Sequence, residues 1–493
     1  MAGDMHSVTI CPISAQSVRN PSRVAVRLVE EFGSLQEVTY GELDLLVDAT
    51  AGRLRSLGHA DDDTVGLLID DPFSLLVHLW AGFRVGLRVS PMNSRLPPAG
   101  VAECASVARA RLLVTDRASP ALGVVEAVRV EAVDPSESSR RAGPANLKGR
   151  SSAVPIPESA ATVVFTSGSS GLSKGVLHGY QAHVYSALGS AGNIPVMPGD
   201  AWALVLPLYH VGGLSISFRC FIAGATVAIP RAGTQMLETL ERLGVTHASL
   251  VETQLRRLVG EGSGGARLSG MRLLVGGGST DSSLLLAAAE AGWRVHATYG
   301  LTEMASQVAT TSDSNESTEL ETAGRVLPFR DIRIEDNRIL VRGLTRFEGY
   351  LTAAGLEAPF DEDGWFRTSD LGSIDADGRL RVSGRADRVF ISGGENVSPE
   401  SIERLIRADP GVRIAVVVPI PDVEYGARAV AFVDPKPDAG MIRRIEERIV
   451  DRLPRYCLPV RYHPYPEGFE TGFSKVDYRR LARFAANAES RHF

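Results

Sequence analysis

The sequence predicts an α/β protein: a large N-terminal domain of several subdomains with mixed and parallel sheets, and a small, mobile α+β lid at its C-terminal end. Three observations carry that prediction. Short apolar runs rich in β-branched residues alternate with helical periodicity, the pattern of strands joined by crossover helices. At 493 residues the chain exceeds what one core fills, taking about 150 residues per domain. A turn-rich segment at 384–399, G-R-A-D-R-V-F-I-S-G-G-E-N-V-S-P, then sets off a C-terminal segment with its own helix–strand–strand–helix order. The domains are accordingly placed at 1–386 and 387–493.

Taken in order, residues 38–58 set Leu43, Val47, Ala51 and Leu54 at helical spacing, with Gly58 as a stop. Residues 65–69 read as a strand, 74–86 as an apolar helix and 112–114 as the next short strand. The Ser-, Arg-, Pro- and Gly-rich stretch 134–159 is a surface connection. Residues 161–165, A-T-V-V-F, form a buried strand, and T-S-G-S-S-G-L-S-K-G at 166–175 cannot continue it. There Gly168, Gly171 and Gly175 are interleaved with Thr166, Ser167, Ser169, Ser170 and Ser173, with Lys174 near the end. A loop so rich in N–H and O–H donors, closed by a cation, suits phosphate groups. The G-x-x-x-x-G-K-[ST] motif is absent, because Lys174 precedes Gly175. A hydrolase elbow G-x-S-x-G does fit 171–175, yet a polar run separates Ser173 from its strand; a flexible linker is the plainest alternative.

Residues 201–213, A-W-A-L-V-L-P-L-Y-H-V-G-G, read as a strand that breaks at Pro207 and delivers Tyr209 and His210 to its end. His210 is either a structural hydrogen-bonder or a catalyst, and the two following glycines admit a ligand. Arg219 lies in an apolar helical run, where a charge is costly unless paired, so it answers an internal carboxylate or one on a substrate. Residues 271–278 are a strand running into glycines. The S-T-D-S-S-L at 279–284 superficially resembles a carrier-domain phosphopantetheine site but is better read as a helix cap. Residues 295–303, V-H-A-T-Y-G-L-T-E, gather an aromatic, a glycine, a hydroxyl and a carboxylate at a strand end. That suits stacking on a purine, a bond to phosphate and Mg²⁺ on Glu303; a capped helix start is the bland reading. Asp370, in W-F-R-T-S-D-L-G, is a turn former or cap, or a carboxylate accepting two ribose hydroxyls. Helix 399–408, strands 414–419 and 427–433 and helix 439–452 make the lid, with Lys475 in its last loop.

Net charge is −6, which offers no basic field for nucleic acid or an anionic membrane. The four cysteines, Cys11, Cys104, Cys220 and Cys457, lack a C-x-x-C or metal spacing and read as reduced thiols of a cytoplasmic protein. No apolar run reaches about 18 residues and no basic-then-apolar leader opens the chain, so neither membrane spanning nor export is expected. Of 52 basic residues only Lys148, Lys174, Lys436 and Lys475 are lysines. Where arginine replaces lysine so widely, Lys174 and Lys475, both in Gly-containing segments, are the ones whose compact ammonium matters.

The succession T-S-G-S-S-G-L-S-K-G, T-Y-G-L-T-E, T-S-D-L-G, G-R-A-D and a late lysine resembles an acyl-CoA synthetase of the adenylate-forming superfamily across nearly the whole chain. Within it, L-P-L-Y-H-V-G-G-L-S-I, the S-Q-V-A-T after T-Y-G-L-T-E-M-A, and I-S-G-G-E-N-V-S-P-E are most similar to o-succinylbenzoate–CoA ligases of menaquinone synthesis. The resemblance implies an AMP-forming ligase that uses ATP, Mg²⁺ and coenzyme A to convert a carboxylic acid to its thioester. By the same resemblance the 166–171 loop and Lys174 hold phosphates, Tyr299 flanks adenine, and Gly277, Gly278, Thr298 and Gly300 complete the nucleotide pocket. Thr302 and Glu303 meet phosphate and Mg²⁺, Asp370 holds the ribose and Arg385 bonds near it. Lys475 sits between the carboxylate and the α-phosphate, and His210 joins Glu303 and both lysines in the catalytic set. His210, Gly212, Arg219, Gly276 and Gln307 line the acyl pocket, Asp387 is the hinge, and Gly393 and Gly394 line the pantetheine tunnel after the lid rotates.

Departures from the family pattern lie around Lys475, where F-E-T-G-F-S-K stands for the usual P-R-T-x-x-G-K, and at T-S-D in place of T-G-D. They predict a slowed or lost adenylation step with thioester formation retained. The acid is o-succinylbenzoate-like, with Arg219 on a second carboxylate, or a bulky specialised-metabolite acid such as a diterpenoid, as in antibiotic synthesis; the Arg-rich usage fits an actinobacterial source. The alternatives are an adenylation enzyme that passes its acyl group to a carrier protein and an esterase using Ser173. The sequence leaves oligomeric state open, a homodimer included.

Overall fold

The computed structural model describes residues 10–29, 34–57, 63–117, 126–136, 152–167, 173–231, 235–262, 268–278, 280–392, 395–471 and 475–489. Two compact units emerge: Met1–Ser279, Leu286–Ile332 and Val341–Phe366 form the first, and Thr280–Leu285, Arg333–Leu340 and Arg367–Phe493 the second. The class is the mixed α/β expected from the sequence.

Two large sheets organise the first unit. One runs in the order Gly355–Glu357, Gly349–Thr352, Ser173–Gly179, Ala161–Ser167, Arg88–Pro91, Thr64–Leu68, Ala110–Thr115, Glu126–Arg129. Its centre is parallel, while the strands from Ala161–Ser167 outward to Gly355–Glu357 pair antiparallel. The other sheet has nine strands and includes the parallel set Thr226–Ile229, Ala201–Ala203, His247–Leu250, Arg272–Val275 and Arg294–Leu301. Parallel strands buried on both faces read as continuous apolar runs, as T-V-G-L-L at 64–68 does.

The helices follow their signals. Thr39 and Glu42 form a capping box that starts Tyr40–Ser56, and Asp71 caps Pro72–Arg84 through the Ser74 amide. Pro72–Arg84 and Val211–Ala223 supply an aromatic centre in which Trp80 meets Phe83, Phe218 and Phe221 with ring centroids 4.9–5.5 Å apart. In the second unit, strands Ile414–Asp422, Gly426–Asp434 and Arg461–Pro464 carry a core shared with helices Pro399–Arg407 and Ala439–Arg452.

Four local expectations change. The strand begun at Ala161 runs on to Ser167 and returns as Ser173–Gly179, with Thr166 paired to Lys174, so Thr166, Ser167 and Ser173 lie on paired strands, where ladder bonds override their loop-like composition. The strand before His210 is only Ala201–Ala203, and His210 instead precedes helix Val211–Ala223. Asp370 stands inside strand Phe366–Ile374, opposite Arg385, and is neither a cap nor a turn residue. Lys475 opens a short strand, Lys475–Val476, paired with Glu470–Thr471. Among the described residues no helix is long and apolar enough to cross a membrane.

Candidate active site

In the first unit, Lys174 lies on the returning arm of the hairpin, where the pairing of Gly349–Thr352 brings Tyr350 opposite Val176. The Lys174 ammonium stands 4.9 Å from the centre of the Tyr350 ring, within cation–π range. At the ring's edge the Tyr350 hydroxyl donates to Glu303 Oε1 at 2.6 Å, the short distance of a bond to a carboxylate. Two residues expected in the nucleotide site, Lys174 and Glu303, thus meet through a third that the sequence reading missed. Nothing in the spacing of F-E-G-Y-L-T marked Tyr350, because its partner is 47 positions away.

Glu303 follows strand Arg294–Leu301 in a single 3₁₀ turn, Thr302–Met304. That turn ends on two non-glycine residues with positive φ, Ala305 at 50° and Ser306 at 120°, an arrangement found where function over-determines the backbone. Pairing steps from Tyr299–Ala309 to Gly300–Gln307, skipping Val308. At Gly300 a Cβ would lie 2.2 Å from the Ser306 carbonyl oxygen, and at Gly276 one would lie 2.6 Å from Thr298 Cγ2. These glycines therefore permit close packing of the segments that carry Tyr299, Thr302 and Glu303. Gly277 takes φ +86°, whereas a Cβ at Gly278 would meet nothing within 4 Å.

Arg219 is 3% exposed on helix Val211–Ala223. Its Nη2 donates to Gln307 Oε1 at 2.7 Å, and its guanidinium lies 5.0 Å from the Trp202 ring. Gln307 Nε2 donates to Thr310 Oγ1 at 2.8 Å, which is 2.8 Å from Thr298 Oγ1. One hydrogen-bonded chain therefore links the expected acyl-pocket residues Arg219 and Gln307 to Thr298 of the expected nucleotide pocket. Arg330 is a second buried cation, 5% exposed, bonded to the Pro328 carbonyl at 2.7 Å. Burial depresses Arg219 to about 10, and burial followed by Arg219's charge depresses Arg330 to about 9. Among the described residues no carboxylate pairs with either, so this part of the interior favours an anion. Gly212 and Gly213 sit in the first turn of the same helix, where a Cβ at 213 would fall 2.2 Å from the Pro207 carbonyl oxygen. His210 packs edge-on against Tyr209 at 4.8 Å.

Within the second unit Arg385 grips Asp387 through Nε and Nη2 at 2.9 and 2.7 Å and reaches Asp370 Oδ1 at 3.4 Å. The expected ribose ligand and hinge residue thereby share one guanidinium. Residues 168–171 and Gly393 and Gly394 lie outside the described residues, as do the side chains of Ser167 and Lys475.

No cluster of three or more His, Cys, Asp or Glu among the described residues could hold a metal alone. Mg²⁺ commonly takes one or two carboxylates and completes its shell with water and substrate phosphates. Glu303, whose Oε2 carries no hydrogen bond from the described residues, fits that donor set.

Residues 13–355 match the model of the AMP-binding enzyme family, and the chain belongs to that family; its class is that of AMP-forming acid–thiol ligases. More particularly, it is 35% identical over 439 residues to the 2-succinylbenzoate–CoA ligase of Salmonella typhimurium, covering 89% of this chain and 90% of that protein. The Escherichia coli 2-succinylbenzoate–CoA ligase is 32% identical over 459 residues, covering 93% and 94%. Among solved structures, o-succinylbenzoate CoA synthetase (MenE) from Bacillus subtilis with its acyl-adenylate intermediate OSB-AMP superimposes with a TM-score of 0.81 at 26% identity, covering 96% and 98%. The same enzyme in complex with ATP and magnesium ion gives 0.81 and 26%, covering 96% and 99%.

Proposed function

We propose that this chain converts an o-succinylbenzoate-like dicarboxylic acid to its CoA thioester through an acyl-adenylate, using ATP, Mg²⁺ and coenzyme A in the cytoplasm. The observation that carries the substrate class is Arg219: a buried cation, bonded to a neutral amide and lacking a carboxylate partner among the described residues, suits an acid that brings a second negative charge. Its relatives act on such an acid. In the first half-reaction the substrate carboxylate attacks the α-phosphorus of ATP and pyrophosphate leaves. Lys174 and the hairpin hydroxyls offset charge on the phosphates, Lys475 meets the charge that develops at the α-phosphate, and Tyr299 stacks on adenine. Mg²⁺ on Glu303, when bound, supplies Lewis-acid charge compensation. In the second half-reaction CoA thiolate attacks the acyl carbon and AMP leaves. A rotation about Asp387 withdraws Lys475 and brings Gly393 and Gly394 to the pantetheine.

Nothing in the relatives supports a slowed first step or transfer to a carrier protein, and a bulky monocarboxylic acid leaves Arg219 unanswered. The deciding experiment measures ATP–pyrophosphate exchange and AMP release over a panel of acids that includes o-succinylbenzoate and a diterpenoid acid. Strong exchange with the dicarboxylate is expected. Lys475→Ala should lower exchange by about 10²–10³-fold while CoA transfer from supplied acyl-adenylate persists; exchange untouched by that substitution would refute the role of Lys475.

A further inference from the structure

We infer that Tyr350 is a positioning residue that holds Lys174 and Glu303 apart, so that both remain available to Mg²⁺ and nucleotide; this rests on the nucleotide reading of the site. Lys174 and Glu303 are opposite charges, both half-buried, and their elements are tied together. The Phe347 amide bonds the Glu303 carbonyl oxygen at 2.8 Å, and the Glu348 amide bonds that of Leu177, on the Lys174 strand, at 2.8 Å. Groups so placed attract strongly where water is partly excluded. A direct ion pair would disable the site twice, removing the cation meant for phosphate and the carboxylate oxygen meant for the metal. No such pair forms among the described residues. Instead one ring stands between them, its face receiving the ammonium at 4.9 Å and its hydroxyl donating to Oε1 at 2.6 Å.

The ring is itself fixed. Phe347 packs edge-on against it at 4.8 Å, and Phe366 does so at 6.3 Å. Strand pairing of Tyr350 with Val176 and of Leu351 with Gly175 sets its register against the Lys174 strand. Cation–π attraction holds the lysine more loosely than a carboxylate would, so an arriving phosphate can take it. The hydroxyl occupies one carboxylate oxygen and orients the other, as outer-shell partners of metal ligands do.

The test is calorimetric titration of the full chain with a non-hydrolysable ATP analogue, with and without Mg²⁺. Tyr350→Phe keeps the ring over Lys174 and removes only the hydroxyl. Its Mg²⁺-free affinity should equal that of the unaltered protein, while the increment added by Mg²⁺ falls by about tenfold or more. Tyr350→Leu removes both contacts, so Mg²⁺-free affinity should also fall, and adding Glu303→Gln should restore it because a neutral amide no longer captures the lysine. An unaltered Mg²⁺ increment in Tyr350→Phe, or failure of the double variant to recover, would overturn the separating role. Absence of analogue binding by the unaltered protein would refute the nucleotide reading beneath it.

Discussion

Arg219 Nη2 donates to Gln307 Oε1 at 2.7 Å, joining a helix and a strand 88 residues apart in sequence. Because Gln307 spends its amide N–H on Thr310, it faces Arg219 with an acceptor and no charge. The guanidinium is oriented without being neutralised.

Replacing Arg219 by Leu should therefore separate catalysis from stability. kcat/KM for a dicarboxylic acid should fall by roughly 30-fold or more, in line with the 2–5 kcal/mol typical of truncating one partner of a buried charge pair, while turnover of a monocarboxylic analogue is unchanged. Thermal melts should show no loss of stability, since an uncompensated buried cation is removed. Equal losses with both acids would place Arg219 outside substrate recognition.

Gly300→Ala should destabilise the protein by about 1–3 kcal/mol, because its Cβ would press on the Ser306 carbonyl, which is backbone and cannot swing aside. Gly260→Ala, on the exposed side of helix Glu252–Glu261 where a Cβ meets nothing within 4 Å, serves as the control and should melt close to the parent. Weakened ATP binding should accompany the first substitution and not the second.

Acid should destabilise the fold through its buried histidines. Burial lowers His178 to about 4 and His247 to about 4, and lowers His183 and His296 as well. Each folded-state value lies below the unfolded value near 6.5, so between those limits the unfolded chain binds more protons and stability falls as pH falls. A histidine kept neutral down to about pH 4 contributes up to about 3 kcal/mol of that loss. Unfolding midpoints measured from pH 7 to 5 should decline, and His178→Leu should flatten the decline; a flat profile in the parent would contradict the burial assigned to these rings.

Much of the fold was legible because its signals are local. The helical spacing of Leu43, Val47, Ala51 and Leu54 announces one helix and the apolar run at 74–86 another, and A-T-V-V-F before Thr166 reads as a buried strand. Arg219 stood out for the same reason: a charge among apolar neighbours demands an answer. What could not be read depends on distant pairing. Thr166 and Ser167 look like loop residues until the strand at Ser173 supplies ladder partners, and Asp370 looks like a turn former until Arg385 faces it across a sheet. Tyr350 carries no mark of its own, since its significance arises from Lys174 on an adjacent strand and Glu303 on a separate turn.

All four cysteines are buried, and burial pushes the Cys220 thiol up to about 12. A single cysteine introduced at the fully exposed Val423 would then be the favoured target for a maleimide dye, with no need to strip the native thiols first. Fluorescence from that one label would test in real time whether the C-terminal segment moves during turnover.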